Sequence, residues 1–459
     1  MYRLKQIILA IGDMALLYLG LYVALVIRYQ ELPTTELYKI LGPMNGLLII
    51  SPIILFISGA YDLVKIKNTW KFYKKILISG LVWLITGALY FYLNPELKIT
   101  PKTILLLTSV AGFSFIALWR YFHAHYISEI IKKTNVIFLG TTPEAHELIK
   151  KLENEPERGY QVAGIFNPRS SQALPAELEK HLITTNKDLS VKITANSVEL
   201  VVIAPALSEQ NTLLGIIYEN LFNQVELITL AEFYEHLMER IPPFTFSESW
   251  FLTNLREQEK KMYDRFRILT DYLIALFLSF IGLITFPLIA LAIKTTSSGP
   301  IFFHQERIGQ RGQRFRMYKY RTMKALSGNG SAEIAGAQYA SENDVRITPI
   351  GKLLRKTRLD EIPQVINILR GEMSFIGPRP ERPEFVKQLT AAMPFYSLRH
   401  LIKPGLTGWA QIHKGYYGTI DENLQKLEYD LFYIKNRGPL LDLAIMLRTI
   451  NILVRMIGR

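Results

Sequence analysis

Asp360 and Glu361 form an adjacent acidic pair inside a basic run that also carries Lys352, Arg355, Lys356 and Arg358. Further along, Arg379 stands between Pro378 and Pro380. Carboxylates among arginines are the groups that phosphate chemistry uses. Phosphoryl transfer needs charge neutralisation and an in-line nucleophile, and magnesium usually bridges acidic side chains and phosphate oxygens. An aspartate can also attack phosphorus itself, forming an acyl phosphate and splitting one displacement into two. Neighbouring residues of a helix point about 100° apart, so the two carboxylates need not share one role. One could attack while the other holds metal. Two prolines hold the backbone around Arg379 stiffly extended, which suits an arginine that meets phosphate oxygens with both nitrogens. Taken alone, the acidic pair reads more simply as a surface ion pair with Arg355 or Arg358. The arginines and prolines around it favour the chemical reading.

Residues 301–324 alternate basic with aromatic side chains and include Lys319 and Arg321. The alternation over 315–320 predicts a strand with one charged face. By itself this stretch reads as a solvated or headgroup-facing surface. The eight histidines form no H-E-x-x-H pattern, and His400 and His413 read as structural or surface residues. The chain has no cysteine, which excludes disulfides, thiolate nucleophiles and cysteine metal sites and fits a reducing compartment.

These residues must be carried by a chain of 459 residues, 49% hydrophobic, with a formal charge of +13. A chain both basic and apolar suggests a membrane protein whose charged face meets anionic lipid or anionic substrate. Nucleic-acid binding is the rival reading, but no nucleic-acid motif accompanies the charge. Four apolar stretches, at 7–26, 42–60, 76–93 and 104–121, each approach the ~20 residues that span a bilayer as a helix. The first is not expected to be a cleavable signal peptide, because no small-residue cleavage site follows it. Arg3 and Lys5 precede the first stretch; Lys65, Lys67, Lys71, Lys74 and Lys75 separate the second and third; Arg120, Lys132 and Lys133 close the fourth. The first connection instead carries Glu31 and Glu36. The positive-inside rule then places both ends of this bundle, residues 1–133, in the cytoplasm.

Residues 134–255 alternate strand and helix patterns, as a parallel Rossmann-like sheet would. Gly140 is followed by Thr141, Thr142, Pro143, Glu144 and Ala145, so the glycines of a dinucleotide fingerprint are missing. A regulatory or oligomerising role is expected here in place of cofactor binding. The last part, residues 256–459, opens with another apolar run over 272–293. Pro287 lies inside it and should break or kink a helix. Arg265 and Arg267 before it and Lys294 after it make both flanks basic, which predicts a segment over about 271–294 that enters the bilayer and returns. The alternative is a straight fifth span. The apolar C-terminal run over 440–459, with Arg448, Arg455 and Arg459 interspersed, reads as an amphipathic helix at the membrane interface.

From about Lys260 onward the chain resembles the bacterial sugar transferase family, the monotopic polyprenyl-phosphate phosphoglycosyl transferases. The likeness rests on ordered blocks at 299–303, 305–309, 318–323, 358–364, 371–380, 403–411 and 430–442. The layout is similar to the large members, with four membrane helices, a degenerate Rossmann-like α/β domain and a mainly α catalytic domain carrying a re-entrant membrane helix. The resemblance implies that Asp360 attacks the β-phosphate of a UDP-sugar, that UMP leaves, and that undecaprenyl phosphate then takes the sugar phosphate. It implies that Glu361 assists through Mg2+, which Asp360 and Glu361 would hold. Lys319, Arg355 and Arg379 fall on positions that bind phosphates, with Arg321, Pro378 and Pro380 in the same substrate-binding blocks and Asp442 on a carboxylate that helps build the pocket. The family breaks its re-entrant helix at Ser-Pro; here the proline, Pro287, falls about three residues later. The implied setting is the bacterial inner membrane with the catalytic domain on its cytoplasmic face. The middle domain and the bundle offer surfaces for a homodimer. Two rival readings are a membrane-anchored nucleotide-sugar dehydratase using the α/β domain and a polysaccharide-assembly scaffold with an inactive transferase domain.

Overall fold

The computed structural model describes residues 2–30, 34–61, 70–94, 102–123, 133–167, 176–194, 198–204, 225–243, 250–251, 254–255, 260–326, 332, 344, 346–393, 395–414 and 419–454. Of the charges used above to orient the segments, Glu31, Lys65, Lys67, Lys132, Arg455 and Arg459 lie outside the described residues. The chain divides into two compact units, residues 1–230 and 231–459.

The first unit opens with four helices, α1 (Tyr2–Tyr29), α2 (Thr34–Ser58), α3 (Trp70–Leu93) and α4 (Lys102–Phe122). Each contains a stretch long and apolar enough to cross a membrane. Leucine, isoleucine and aromatic side chains fill their shared core, and Trp83 donates its indole N–H to Leu47 O at 2.8 Å. α1 and α4 meet where Gly20 faces Gly112: a Cβ added at Gly20 would lie 2.6 Å from Gly112 Cα, so the two backbones touch. Beside this contact, Arg120 Nη2 donates to Asp13 Oδ2 at 2.5 Å, both side chains fully buried, and the guanidinium lies over the Tyr61 ring at 5.0 Å. Arg120, counted above among the charges that follow the fourth stretch, is therefore inside α4 and spent on an intrahelical-bundle ion pair.

The unit continues with β1 (Thr134–Leu139), α5 (Pro143–Asn154), β2 (Tyr160–Phe166), β3 (Leu182–Ile183), α6 (Asn186–Thr194), β4 (Leu200–Ile203) and β5 (Glu226–Thr229). The five strands form one parallel sheet in the order β3-β2-β1-β4-β5. This is the Rossmann-like arrangement that the alternating pattern predicts. β1 is buried along Val136–Leu139, as a central parallel strand covered on both faces should be. Thr142 caps α5, accepting from Ala145 N at 3.2 Å.

The second unit is mainly helical. α7 (Leu230–Met238) leads into it, and Ala231, Ile241 and Phe251 belong to its core. α8 (Lys261–Thr296) follows, a helix of 36 residues that is about 54 Å long at 1.5 Å per residue. The helix continues through Pro287, although that residue has no N–H to donate to the preceding turn. The break expected there does not occur in the secondary structure, and the helix buries a stripe of Arg267, Ala275, Gly282, Ile289 and Ile293 against its own unit. The opposite face carries Leu276, Phe277, Phe280, Leu283, Ile284, Leu288 and Leu291, each at least 60% exposed. An apolar face of this extent marks a surface that meets lipid or another apolar partner.

After α8 come the antiparallel pair β6 (Phe302–Ile308) and β7 (Arg314–Tyr320), then α9 (Pro349–Lys356), a 3₁₀ turn over Leu359–Gln364, α10 (Val365–Leu369) and β8 (Ser374–Ile376). α11 (Pro383–Ala392), a 3₁₀ turn over Tyr396–Leu401, β9 (Gly405–Thr407), α12 (Trp409–His413), α13 (Ile420–Asn436) and α14 (Pro439–Val454) complete the unit. β8 and β9 pair in parallel. Thr419 and Glu422 form a reciprocal capping box at the start of α13. On α14, Ile445 is buried while Leu440 and Leu443 are exposed.

Candidate active site

The acidic pair lies on the 3₁₀ turn, and the chain reaches that turn through a left-handed residue. α9 starts at the Thr348 cap, which accepts from Gly351 N at 3.0 Å. Its first turn presses on the strand end at Thr322: a Cβ on Gly351 would sit 2.0 Å from Thr322 O, so only glycine allows this approach. That packing brings Arg355 to Thr322, where Nε donates to Oγ1 at 2.8 Å. α9 ends at Lys356 with Thr357 as its cap, and Arg358 takes left-handed backbone angles (φ 59°) that turn the chain. A non-glycine residue there is strained by about 1 kcal/mol, the order typical of this conformation.

Beyond Arg358 both carboxylates turn inward. Asp360 is 7% exposed and Glu361 6%. Glu361 is surrounded by cations. Its Oε1 accepts from Lys319 Nζ at 2.7 Å and Arg379 Nη2 at 2.9 Å, and its Oε2 lies 3.5 Å from Arg358 Nη1. Lys319 comes from β7, which is tied to α10 by the buried Asn367. The Asn367 Oδ1 accepts from Tyr318 N at 3.2 Å and its Nδ2 donates to Arg316 O at 2.7 Å. Asp360 is the contrasting member of the pair: its Oδ1 is buried with no hydrogen-bond partner among the described residues.

The two carboxyl groups titrate in opposite directions. Burial pushes Asp360 up to about 6, Lys319 opposes that shift and the neighbouring Glu361 charge adds to it. Burial acts on Glu361 in the same sense, but Lys319, Arg379 and Arg358 outweigh it and hold that carboxyl well below its usual range. Burial also lowers Lys319, against the pull of Glu361. Arg379 is held charged by Glu361. Two adjacent carboxylates whose surroundings separate their titrations are the pattern of divided acid, base and nucleophile roles.

The turn also touches α8: a Cβ on Gly282 would lie 3.0 Å from the Ile362 side chain, one residue beyond Glu361. The turn that carries the acidic pair is thus packed against the helix with the long apolar face.

Of the residues singled out from sequence, Asp360, Glu361, Lys319 and Arg379 meet, and Arg355 stands at the edge, close enough to bear on the Asp360 charge. Pro378 and Pro380 flank Arg379 as the chain requires. Arg321 is placed elsewhere. It is 1% exposed and donates from both terminal nitrogens to Ser297 O and Ser298 O, closing the C-terminal end of α8. Asp442 sits near the N-terminal end of α8, accepting from Tyr263 Oη at 2.5 Å and Tyr433 Oη at 2.8 Å. Its partners are these tyrosines and not the acidic pair. Asn367 is a site residue that the sequence reading did not single out, whereas Arg358 entered it as a candidate ion-pair partner of the acidic pair and does approach Glu361. The left-handed conformation of Arg358 leaves no signal in a non-glycine residue, and a buried asparagine resembles any loop asparagine.

The model of the bacterial sugar transferase family matches residues 262–456, and that of a CoA-binding domain matches residues 57–230. The chain is 31% identical over 333 residues to the UDP-glucose:undecaprenyl-phosphate glucose-1-phosphate transferase of Klebsiella pneumoniae, a match covering 69% of this chain and 67% of that protein. It is 44% identical over 169 residues to the UDP-N-acetylgalactosamine-undecaprenyl-phosphate N-acetylgalactosaminephosphotransferase of Aeromonas hydrophila, where the match covers 37% of this chain and only 39% of the relative. A four-helix bundle and a parallel α/β sheet precede the site-bearing unit, and the Klebsiella match is long enough to reach beyond that unit. The chain belongs to the bacterial sugar transferase family, in its large form.

Proposed function

We propose that this protein transfers a sugar 1-phosphate from a UDP-sugar to undecaprenyl phosphate through a covalent intermediate on Asp360, as the first membrane step of exopolysaccharide, capsule or O-antigen synthesis. The observation that carries the reading is the contrast within the acidic pair. Glu361 is bound by three cations, while Asp360 beside it keeps an unpartnered carboxylate oxygen. The Asp360 carboxylate attacks the β-phosphorus, the bond from that phosphorus to the bridging oxygen breaks, and UMP leaves with the electron pair. A phosphate oxygen of undecaprenyl phosphate then attacks the same phosphorus and displaces Asp360, giving undecaprenyl-diphosphate-sugar. Lys319 and Arg379 supply positive charge to the phosphates, and Arg358 and Arg355 complete a basic rim.

Magnesium fits this donor set. Asp360 and Glu361 offer hard oxygen ligands, one of them unpartnered. Magnesium is usually bound by one or two carboxylates and takes its other ligands from phosphate and water. Asp360 and Glu361 would hold it, and it would neutralise charge on the diphosphate.

The placement of α8 supports a segment whose two ends stay on one side of the membrane. Both of its ends are bound to one compact unit: Arg267 donates to Ser374 Oγ and Ile376 O, and Arg321 donates to Ser297 O and Ser298 O. A straight span would carry those ends to opposite sides of a ~30 Å hydrocarbon core. The side that holds UDP-sugars is the cytoplasm. Because the chain has no cysteine, single cysteines at Lys261 and Thr295 are clean reporters. Both are expected to label from the cytoplasmic side, and labelling from opposite sides would make α8 a span.

The reaction is tested by UMP release from a panel of UDP-sugars in the presence of undecaprenyl phosphate. The panel should include glucose and N-acetylgalactosamine, the sugars in the names of the two relatives above. No UMP from any member would sink the proposal. Since Asp360 must be ionised to attack, kcat/KM is expected to rise with pH through an apparent value near 6 and level off above it. A flat profile from about pH 5 to about pH 8 would contradict that role.

A further inference from the structure

Arg379 occupies a segment that the chain can anchor in few ways. Pro378 and Pro380 have no N–H, so the backbone there is held chiefly through its carbonyls. Four consecutive carbonyls each have a donor. Pro378 O accepts from Gly405 N at 2.9 Å, Arg379 O from Arg399 Nη2 at 2.8 Å, Pro380 O from Arg307 Nη1 at 3.2 Å and Glu381 O from Ile308 N at 2.9 Å.

The donor to Arg379 is the unusual one. Arg399 is 3% exposed, and its guanidinium also pairs with Asp430 Oδ2 at 2.8 Å and donates to Tyr396 Oη at 2.7 Å. Burying a guanidinium and a carboxylate together costs several kcal/mol before their attraction offsets it. A neutral donor would satisfy one carbonyl at far lower cost. What the buried pair adds is rigidity: a planar fork fixed on Asp430 and Tyr396 leaves the nitrogen on Arg379 O little freedom. The same helix supports the next residue. Lys426, one turn before Asp430 on α13, pairs with Glu381, which Arg307 also approaches at 3.6 Å. α13 therefore connects through Asp430 and Arg399 to the backbone of Arg379, and through that side chain to Glu361.

We propose that Arg399 is a positioning residue for the transferase: through the Arg379 carbonyl it fixes the guanidinium that faces Glu361 and, in the reaction proposed above, the diphosphate. This rests on the reading of Arg379 as a phosphate-binding residue. UDP binding by the full-length protein in nanodiscs, measured by calorimetry, tests it without requiring turnover. Arg379→Ala is expected to weaken UDP about 10-fold or more, the loss of one charged phosphate contact. Arg399→Lys is expected to weaken it comparably, because a displacement of about 1 Å can cost up to 100-fold. The double variant should bind no more weakly than Arg379→Ala alone, since Arg399 acts only through Arg379. Tyr396→Phe, which keeps the bonds to Asp430 and to Arg379 O, should follow the same pattern with a smaller loss and serves if Arg399→Lys fails to fold. Losses that multiply in the double variant, or wild-type UDP affinity in Arg399→Lys, would overturn the positioning role. Wild-type affinity in Arg379→Ala would instead overturn the phosphate-binding reading and the proposal with it.

Discussion

Asp360→Asn is expected to lower UMP release by about 10⁴-fold or more while the protein stays folded, the scale seen when a covalent nucleophile is removed. The amide keeps the shape of the side chain and loses the charge that attacks phosphorus. Stability should not fall. A carboxyl raised to about 6 by burial is disfavoured as an anion in the folded state, so at neutral pH its charge opposes folding. The melting midpoint of Asp360→Asn near neutral pH should therefore equal or exceed that of the wild type. Glu361→Gln should behave in the opposite way. Glu361 is depressed well below its usual range, so its anion stabilises the fold above the unfolded value, and that contribution is lost as pH falls through the folded one. Removing its charge takes from Lys319 and Arg379 the carboxylate that both of them bind. Both variants lose activity, but only Glu361→Gln should melt earlier. Full activity in Asp360→Asn would end the nucleophile assignment, and lowered stability in that variant would contradict the burial cost.

The second large effect belongs to the helical bundle. Asp13→Ala is expected to destabilise the first unit by about 3–5 kcal/mol, the cost of stranding one member of a buried ion pair. Arg120 would keep its charge in an apolar core with the Tyr61 ring as its remaining neighbour of consequence. Replacing both partners, Asp13→Leu with Arg120→Met, should recover most of the loss because neither charge is then buried. Thermal unfolding in nanodiscs reads both variants. If Asp13→Ala melts with the wild type, or the double variant is worse than the single, the pair does not hold α1 to α4.

Much of this architecture is legible in the sequence because it follows from local pattern. The apolar runs become α1 to α4, and the alternation around Phe315 becomes β7, with Phe315 and Met317 buried and Arg314 and Arg316 outside. The meeting of Glu361 with Arg379 beside Asp360 is legible too, since these residues sit in short, distinctive contexts. What is not legible depends on long-range partners. Asp13 and Arg120 are 107 residues apart, and an aspartate inside an apolar run was the available signal for their pairing. Arg321 belongs to a substrate-binding block by sequence, yet two carbonyls at the end of α8 claim its guanidinium. Asp442 likewise finds two tyrosines. The Arg399–Asp430 and Lys426–Glu381 pairs join residues 31 and 45 positions apart and become visible only where the fold buries them. Pro287 is a strong local breaker, but the stripe from Arg267 to Ile293 packs on both sides of it and the helix continues.

The central claim is the covalent phosphosugar on Asp360, and the mass of the peptide carrying Asp360 tests it most directly. Protein incubated with UDP-sugar alone, without undecaprenyl phosphate, and quenched should gain the mass of one sugar phosphate on that peptide. Asp360→Asn should gain none. Release of UMP only when undecaprenyl phosphate is added, with no adduct on Asp360 at any time, would contradict the two-step account and leave direct transfer between the substrates.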